Sequence, residues 1–90
     1  MKIIFDRNSI HWESNKWYNY EFIKHVEHLL TGELLIRGYL YLNEIYQMLG
    51  IEWNPDNENL CLRRDNKYRS DLFDVFPING GNDFLINIIE

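Results

Sequence analysis

Residues 72–89 read Leu72-Phe73-Asp74-Val75-Phe76-Pro77-Ile78-Asn79-Gly80-Gly81-Asn82-Asp83-Phe84-Leu85-Ile86-Asn87-Ile88-Ile89. Two stretches rich in β-branched and aromatic residues, Leu72 to Phe76 and Phe84 to Ile89, flank Asn79-Gly80-Gly81-Asn82. Asn and Gly accept the left-handed backbone that a tight reversal needs, so the segment predicts a β-hairpin. Just upstream, Leu60 and Leu62 alternate with Cys61 and Arg63, the period of a strand. Residues 59–63 are therefore expected to pair with the hairpin and make a three-stranded antiparallel sheet.

Outward from the sheet, the period changes. Tyr18, Phe22, Val26 and Leu29 recur at helical spacing, with Ile23 and Leu30 widening the stripe, which predicts a helix over 16–30. Ser14 or Asn15 suits its N-cap, and Gly32 suits its stop. Glu21, Lys24, Glu27 and His28 are expected on the opposite, solvated face. Residues 38–42 read as a brief strand. Leu42, Ile45, Tyr46 and Leu49 predict a second helix over 43–49, ended by Gly50, and Asn54-Pro55-Asp56-Asn57 is a turn. Lys2 to Phe5, with Ile3 and Ile4, is a strand free to join a sheet edge. The expected architecture is one α+β domain over 1–90, with two helices packed on a small antiparallel sheet of three to four strands.

Charge and composition narrow the function. Fourteen acidic and nine basic residues leave a net charge of −5, which disfavours nonspecific attraction to phosphate backbones and anionic membranes. The one cysteine, Cys61, has no partner for an internal disulfide, which favours a reducing compartment. No apolar run is long enough for a membrane span or a signal peptide, so the expected location is the host-cell cytoplasm. Aromatic residues make up 16% of the chain, more than a small core absorbs, so some of them, Trp12, Trp17 and Trp53 among them, are candidate contact anchors.

The segment Gly38-Tyr39-Leu40-Tyr41-Leu42-Asn43-Glu44-Ile45-Tyr46-Gln47-Met48-Leu49-Gly50-Ile51 resembles the central segment of a family of small, uncharacterised bacteriophage proteins. In that family an aromatic lead-in runs into Leu-Asn-acid-aliphatic-Tyr and then Leu-Gly, which Leu42 to Tyr46 and Leu49-Gly50 match. Asn82 to Ile88 resembles the family's closing strand, whereas the linker 54–59 departs from its pattern. The resemblance covers about half the chain. It implies a phage or prophage origin and brings no chemistry with it. By analogy, small acidic phage proteins often inhibit host defences, anti-CRISPR proteins among them.

Sites for chemistry are sparse. Glu21, His25 and His28 share one helical stripe, but they lack the two-His-plus-Glu spacing of zinc proteases, and the stripe reads as a solvated flank beside the apolar face. Cys61 has no neighbouring motif that activates a thiol. Gly80-Gly81 precedes a strand, so no helix N-terminus stands ready for a phosphate. A helix-turn-helix would need a recognition helix after Gly50, where a Pro-containing turn falls instead. No catalytic residue, metal ligand or cofactor is therefore assigned, and an enzyme is not expected.

Two clusters are candidates for contact with a partner. Glu52, Asp56 and Glu58 surround Trp53, and an acidic rim around an aromatic anchor suits a basic protein surface. Arg63, Arg64, Lys67, Tyr68 and Arg69 combine cations with a stacking ring, which suits phosphates or an acidic protein. Each has a structural counter-reading: Trp53 plugging the core, and a solvated loop neutralised by Asp65 and Asp71. The expected function is a small non-enzymatic inhibitor that binds a host protein, a defence nuclease being the preferred target class. The alternatives are a nucleic-acid-binding regulator using 63–69 and a virion or structural accessory protein.

Overall fold

A computed structural model describes residues 1–52, 54–58, 60–63 and 72–88. The elements in chain order are β1 (Lys2–Phe5), α1 (Lys16–Arg37), β2 (Tyr39–Tyr41), α2 (Leu42–Met48), β3 (Cys61–Arg63), β4 (Phe73–Ile78) and β5 (Asp83–Ile88). Single 3-10 turns cover Pro55–Asn57 and Asn79–Gly81. The described residues form an α+β domain with two helices, a three-stranded antiparallel sheet and a separate two-stranded ribbon. Among the described residues no helix is long and apolar enough to cross a membrane.

The hairpin forms where expected. β4 and β5 pair from Phe73↔Ile88 to Ile78↔Asp83, and residues 79–82 close the loop. Asn79, Gly80 and Gly81 take φ of 53°, 80° and 93°, a run that only Asn and Gly sustain cheaply. The third strand of the sheet differs from the expectation. β1 pairs along the other side of β5, from Lys2↔Asn87 to Phe5↔Phe84, giving the order β1-β5-β4. The segment expected beside the hairpin, now β3, pairs instead with β2, Leu40 opposite Leu62. The Leu42 N–H donating to Leu60 O at 2.9 Å extends that ribbon. The physical reason lies in β1: Ile3 and Phe5 bring two large inward side chains to β5, both buried, whereas β3 has only the half-buried Leu62 and Cys61.

The first helix is longer than its sequence pattern predicts. It runs through Gly32 and ends at Arg37, and Gly38 provides the left-handed cap at φ 83°, its N–H reaching Leu34 O at 2.8 Å. A mid-helix Gly costs only about 1 kcal/mol, which tertiary contacts outweigh. Those contacts are visible at the helix end. Both terminal guanidinium nitrogens of Arg37, Nη1 and Nη2, donate to the Glu44 carboxylate, at 2.8 and 3.2 Å, and the Tyr41 N–H donates to the same carboxylate at 2.8 Å. Arg37 also lies over the Tyr39 ring, 4.6 Å from its centre. One fork thus joins the end of α1 to the start of α2. The second helix begins at Leu42 and ends at Met48, one residue earlier at each end than expected.

The buried face of α1 is also turned from the predicted one. Ile23, Val26 and Leu30 are buried as expected, but so are Asn19 and Glu27, while Tyr18 and Leu29 point outward. Glu27, expected in solvent, is only 4% exposed. Its Oε2 accepts the N–H of Leu72 at 2.9 Å and of Phe73 at 2.6 Å, and Lys24 Nζ stands 2.6 Å from its Oε1. Two backbone donors and an ammonium offset the cost of burying the charge. Around this anchor the core joins Ile23, Val26 and Leu30 of α1 to Phe73, Phe84, Ile86 and Ile88 of the sheet, and to Leu40, Leu42, Ile45 and Leu49 beside it.

Two outcomes follow. Replacing Glu27 with Ala strands two buried N–H groups, so urea denaturation should show a loss of about 2–4 kcal/mol, and Glu21→Ala, on the exposed side of the same helix, a loss within about 0.5 kcal/mol. For pH, hydrogen bonding from Arg37 holds the Glu44 carboxyl below its ordinary value of 4.5. The unfolded carboxyl therefore takes its proton first as pH falls, so stabilisation by Glu44 is complete above the unfolded value and lost as pH drops through the folded one. The stability gap between wild type and Glu44→Gln should be constant near pH 7 and should close below about pH 4.5. A gap that persisted well into acid would contradict the assignment.

Candidate partner-binding site

Among the described residues the most exposed aromatic side chain lies at the start of α1. Asn15 caps that helix, its Oδ1 accepting the N–H of Trp17 at 3.0 Å and of Tyr18 at 3.1 Å. The next turn is tied down by Asn19, which is fully buried. Its Nδ2 donates to Glu13 O at 2.7 Å and Asn82 O at 2.9 Å, and its Oδ1 accepts the Glu13 N–H at 3.0 Å. One amide thus locks the N-terminal loop, the first helix and the β4–β5 loop together. Trp12 repeats the link: its indole N–H donates to Asp83 Oδ1 at 3.0 Å and Asn82 O at 3.2 Å, while Arg7 lies over the ring.

On this fixed platform Trp17 is 71% exposed. It borders a groove of about 350 Å³ lined by Lys16, Trp17, Tyr20, Val75, Pro77, Gly81 and Phe84. Lys16 Nζ sits 5.4 Å from the Trp17 ring centre, and the Tyr20 ring packs on Phe84 at 6.0 Å. The walls are apolar, with one cation at the rim. Such a surface takes an aliphatic or aromatic side chain, with room for a carboxylate beside Lys16.

The predicted contact residues fall elsewhere. Glu52, Asp56 and Glu58 are exposed. The turn that carries Asp56 is held by the buried Asn43, whose side chain both donates to Asn54 O at 3.1 Å and accepts the Asn54 N–H at 3.2 Å. Asn43 adjoins Glu44, gripped by Arg37, so this acidic turn belongs to the C-terminal end of α1. The groove belongs to the other end of that 22-residue helix, away from Asp56, whereas Glu52 follows Gly50, whose carbonyl accepts the Ile10 N–H of the N-terminal loop at 3.1 Å; Glu52, Asp56 and Glu58 do not line the groove. Arg63 is exposed on β3, whereas Trp53, Arg64, Lys67, Tyr68 and Arg69 lie outside the described residues. Trp12, a candidate anchor from sequence, is instead partly buried against the core.

Glu21, His25 and His28 are exposed along α1, and among the described residues no group of three or more His, Cys, Asp or Glu is placed to hold a metal. Cys61 is half-buried opposite Tyr41. Sequence reasoning singled out Trp17 but missed Lys16, Tyr20, Val75, Pro77 and Phe84 as its neighbours. The readable signal was Asn15 two residues before an unabsorbed Trp, which marks a helix start that displays its first turn. No family model, curated protein or solved structure matches the chain.

Asn19 is the side chain on which the platform rests. Asn19→Ala removes three hydrogen bonds to backbone groups, so a loss of about 2–3 kcal/mol is expected in urea denaturation. Fluorescence quenching by acrylamide should rise at the same time, as Trp12 loosens with the loop.

Proposed function

We propose that this chain is a small non-enzymatic binding protein of phage origin that inhibits a host protein by occupying its surface. A nuclease of a host defence system, as in anti-CRISPR action, is the target class. The observation that carries this reading is Trp17, 71% exposed on a rigidly capped helix start beside an apolar groove. Large exposed aromatics on a fixed backbone are the side chains that dominate protein–protein binding energy. The fit is to a partner segment that seats an apolar side chain in the groove and a carboxylate at Lys16. Glu52, Asp56 and Glu58 add a second, acidic surface suited to the basic groove in which a nuclease holds its substrate.

The test is capture from a host lysate with wild type and Trp17→Ala side by side, followed by a nuclease assay on the captured protein. One stoichiometric partner, lost by about tenfold or more with Trp17→Ala and inhibited by the wild type, is the expected result. Gel shifts at two salt concentrations provide the contrast. DNA binding that weakens steeply with salt, with no protein captured, would move the function to the basic segment beginning at Arg63.

A further inference from the structure

In the order β1-β5-β4, β4 has β5 on one side and, among the described residues, no strand on the other. Two hydrogen bonds fix which backbone groups face that open side. The Phe73 N–H donates to Glu27 Oε2, so Phe73 turns its backbone away from β5. Ile88, opposite Phe73, donates its N–H to Met1 O at 2.8 Å, on the far side of β5, which gives the same phase from the other strand. Backbone direction alternates along a strand, and the register runs unbroken from Phe73 to Ile78, so Val75 and Pro77 face outward as well. The edge therefore presents the carbonyls of Phe73, Val75 and Pro77 and the N–H of Val75. The Phe73 N–H is taken by Glu27, and Pro77 has none. Side chains keep the same period. Phe73 is buried under the helix, so Val75 and Pro77 lie on that side of the sheet, where they line the groove with Trp17 and Tyr20 of α1.

We propose that the occupant of this groove is an extended segment of another protein that adds to β4 as an antiparallel strand, a reading that rests on the groove's being a partner-binding surface. The segment's residue opposite Val75 exchanges two hydrogen bonds with it. The residues two before and two after donate to Pro77 O and Phe73 O. All three turn their side chains to the groove side of the sheet. The one opposite Val75 is apolar and enters the groove. The one opposite Pro77 is acidic, because that end of the groove is where Lys16 reaches the Gly81 turn, and Lys16 is the charged residue among those lining the groove. Nearby, Lys24 is engaged by Glu27, Asp83 by Trp12 and Asn79, and Glu21 is turned further from the sheet than Trp17.

A second copy of the chain fits this edge poorly. In a twofold pairing centred on Val75, Phe73 faces the second copy's Pro77, and two carbonyls meet with no donor between them. Centring on Phe76 leaves the Val75 carbonyl facing Pro77, which has no N–H to give. Centring on Asp74 opposes two carboxylates. An edge with three acceptors and one donor calls for a foreign strand that brings its own N–H groups.

The probe is the peptide acetyl-Thr-Glu-Thr-Ile-Thr-Val-Thr-amide, titrated to about 5 mM into the full chain labelled with nitrogen-15, with dissociation expected on the order of 0.1–1 mM. The Val75 amide proton should move downfield and exchange more slowly, and the Trp17 indole signal should shift with it. Methylating the Ile nitrogen, whose N–H faces Val75 O, should weaken binding about tenfold or more. Methylating the nitrogen of the Thr after it, which faces away from β4, should leave binding within about twofold. Lys16→Glu should weaken the peptide about threefold, and a peptide with Lys in place of Glu should recover that loss. An unmoved Val75 amide, equal effects of the two methylations, or no response to the charge swap would each overturn the assignment. Lysate capture that succeeds while Val75 stays unmoved sinks the added strand alone. Capture that fails while Val75 responds sinks the inhibitor reading alone.

Discussion

The structure depends on a carboxylate held indoors. Glu27 sits near the middle of α1, and its partners are the backbone N–H groups of Leu72 and Phe73, where β4 begins. A helix lying on a sheet by apolar contact alone can rotate or slide with little change in buried area. A buried charge with two directional donors cannot follow such a movement without losing them. Glu27 therefore fixes which stripe of α1 faces inward. It also sets where the hairpin starts relative to the helix, and Lys24 supplies the countercharge.

The same device recurs at each junction. Asn19 joins the N-terminal loop to the hairpin loop, Asn43 holds the turn after α2, and Arg37 with Glu44 joins the two helices. Ser9 does it too, its hydroxyl donating to Leu49 O at 2.6 Å. A chain of 90 residues buries a limited apolar area, and nondirectional burial does not distinguish neighbouring registers. Polar side chains bonded to backbone groups far away in sequence supply that discrimination. One consequence is local: the loop that borders the groove is held by hydrogen bonds from Asn19 and Trp12, so the backbone around Trp17 has little ordering left to lose on binding.

What was legible in the sequence followed the range of the interaction. The β4–β5 hairpin was readable because Asn79-Gly80-Gly81-Asn82 decides it locally. The existence of both helices was readable from periodicity. The end of α1 was not, because Gly32 is a local stop signal and the contact that carries the helix past it comes from Glu44. The inward stripe was misread because hydrophobicity cannot announce that Asn19 and Glu27 will find backbone partners 63 and 45 residues away. The partner of β3 was misread because a three-residue strand carries almost no pairing information. For the candidate site, Trp17 stood out by its chemistry, while the groove beside it joins α1 to β4 and β5 across some 60 residues, a meeting that no local pattern records.

The strand order β1-β5-β4 has a bearing on how the protein is made. The central strand is the last of the three to leave the ribosome. β1 therefore waits for about 80 further residues before its hydrogen-bonding partner exists, several seconds at ordinary elongation rates. During that interval Ile3 and Phe5 belong to an unpaired strand with an apolar side. The helices and the β2–β3 ribbon, whose contacts are closer in sequence, have time to assemble first. Closure of the sheet by β5, sliding between two strands already synthesised, is then the step that commits the nascent chain to its fold.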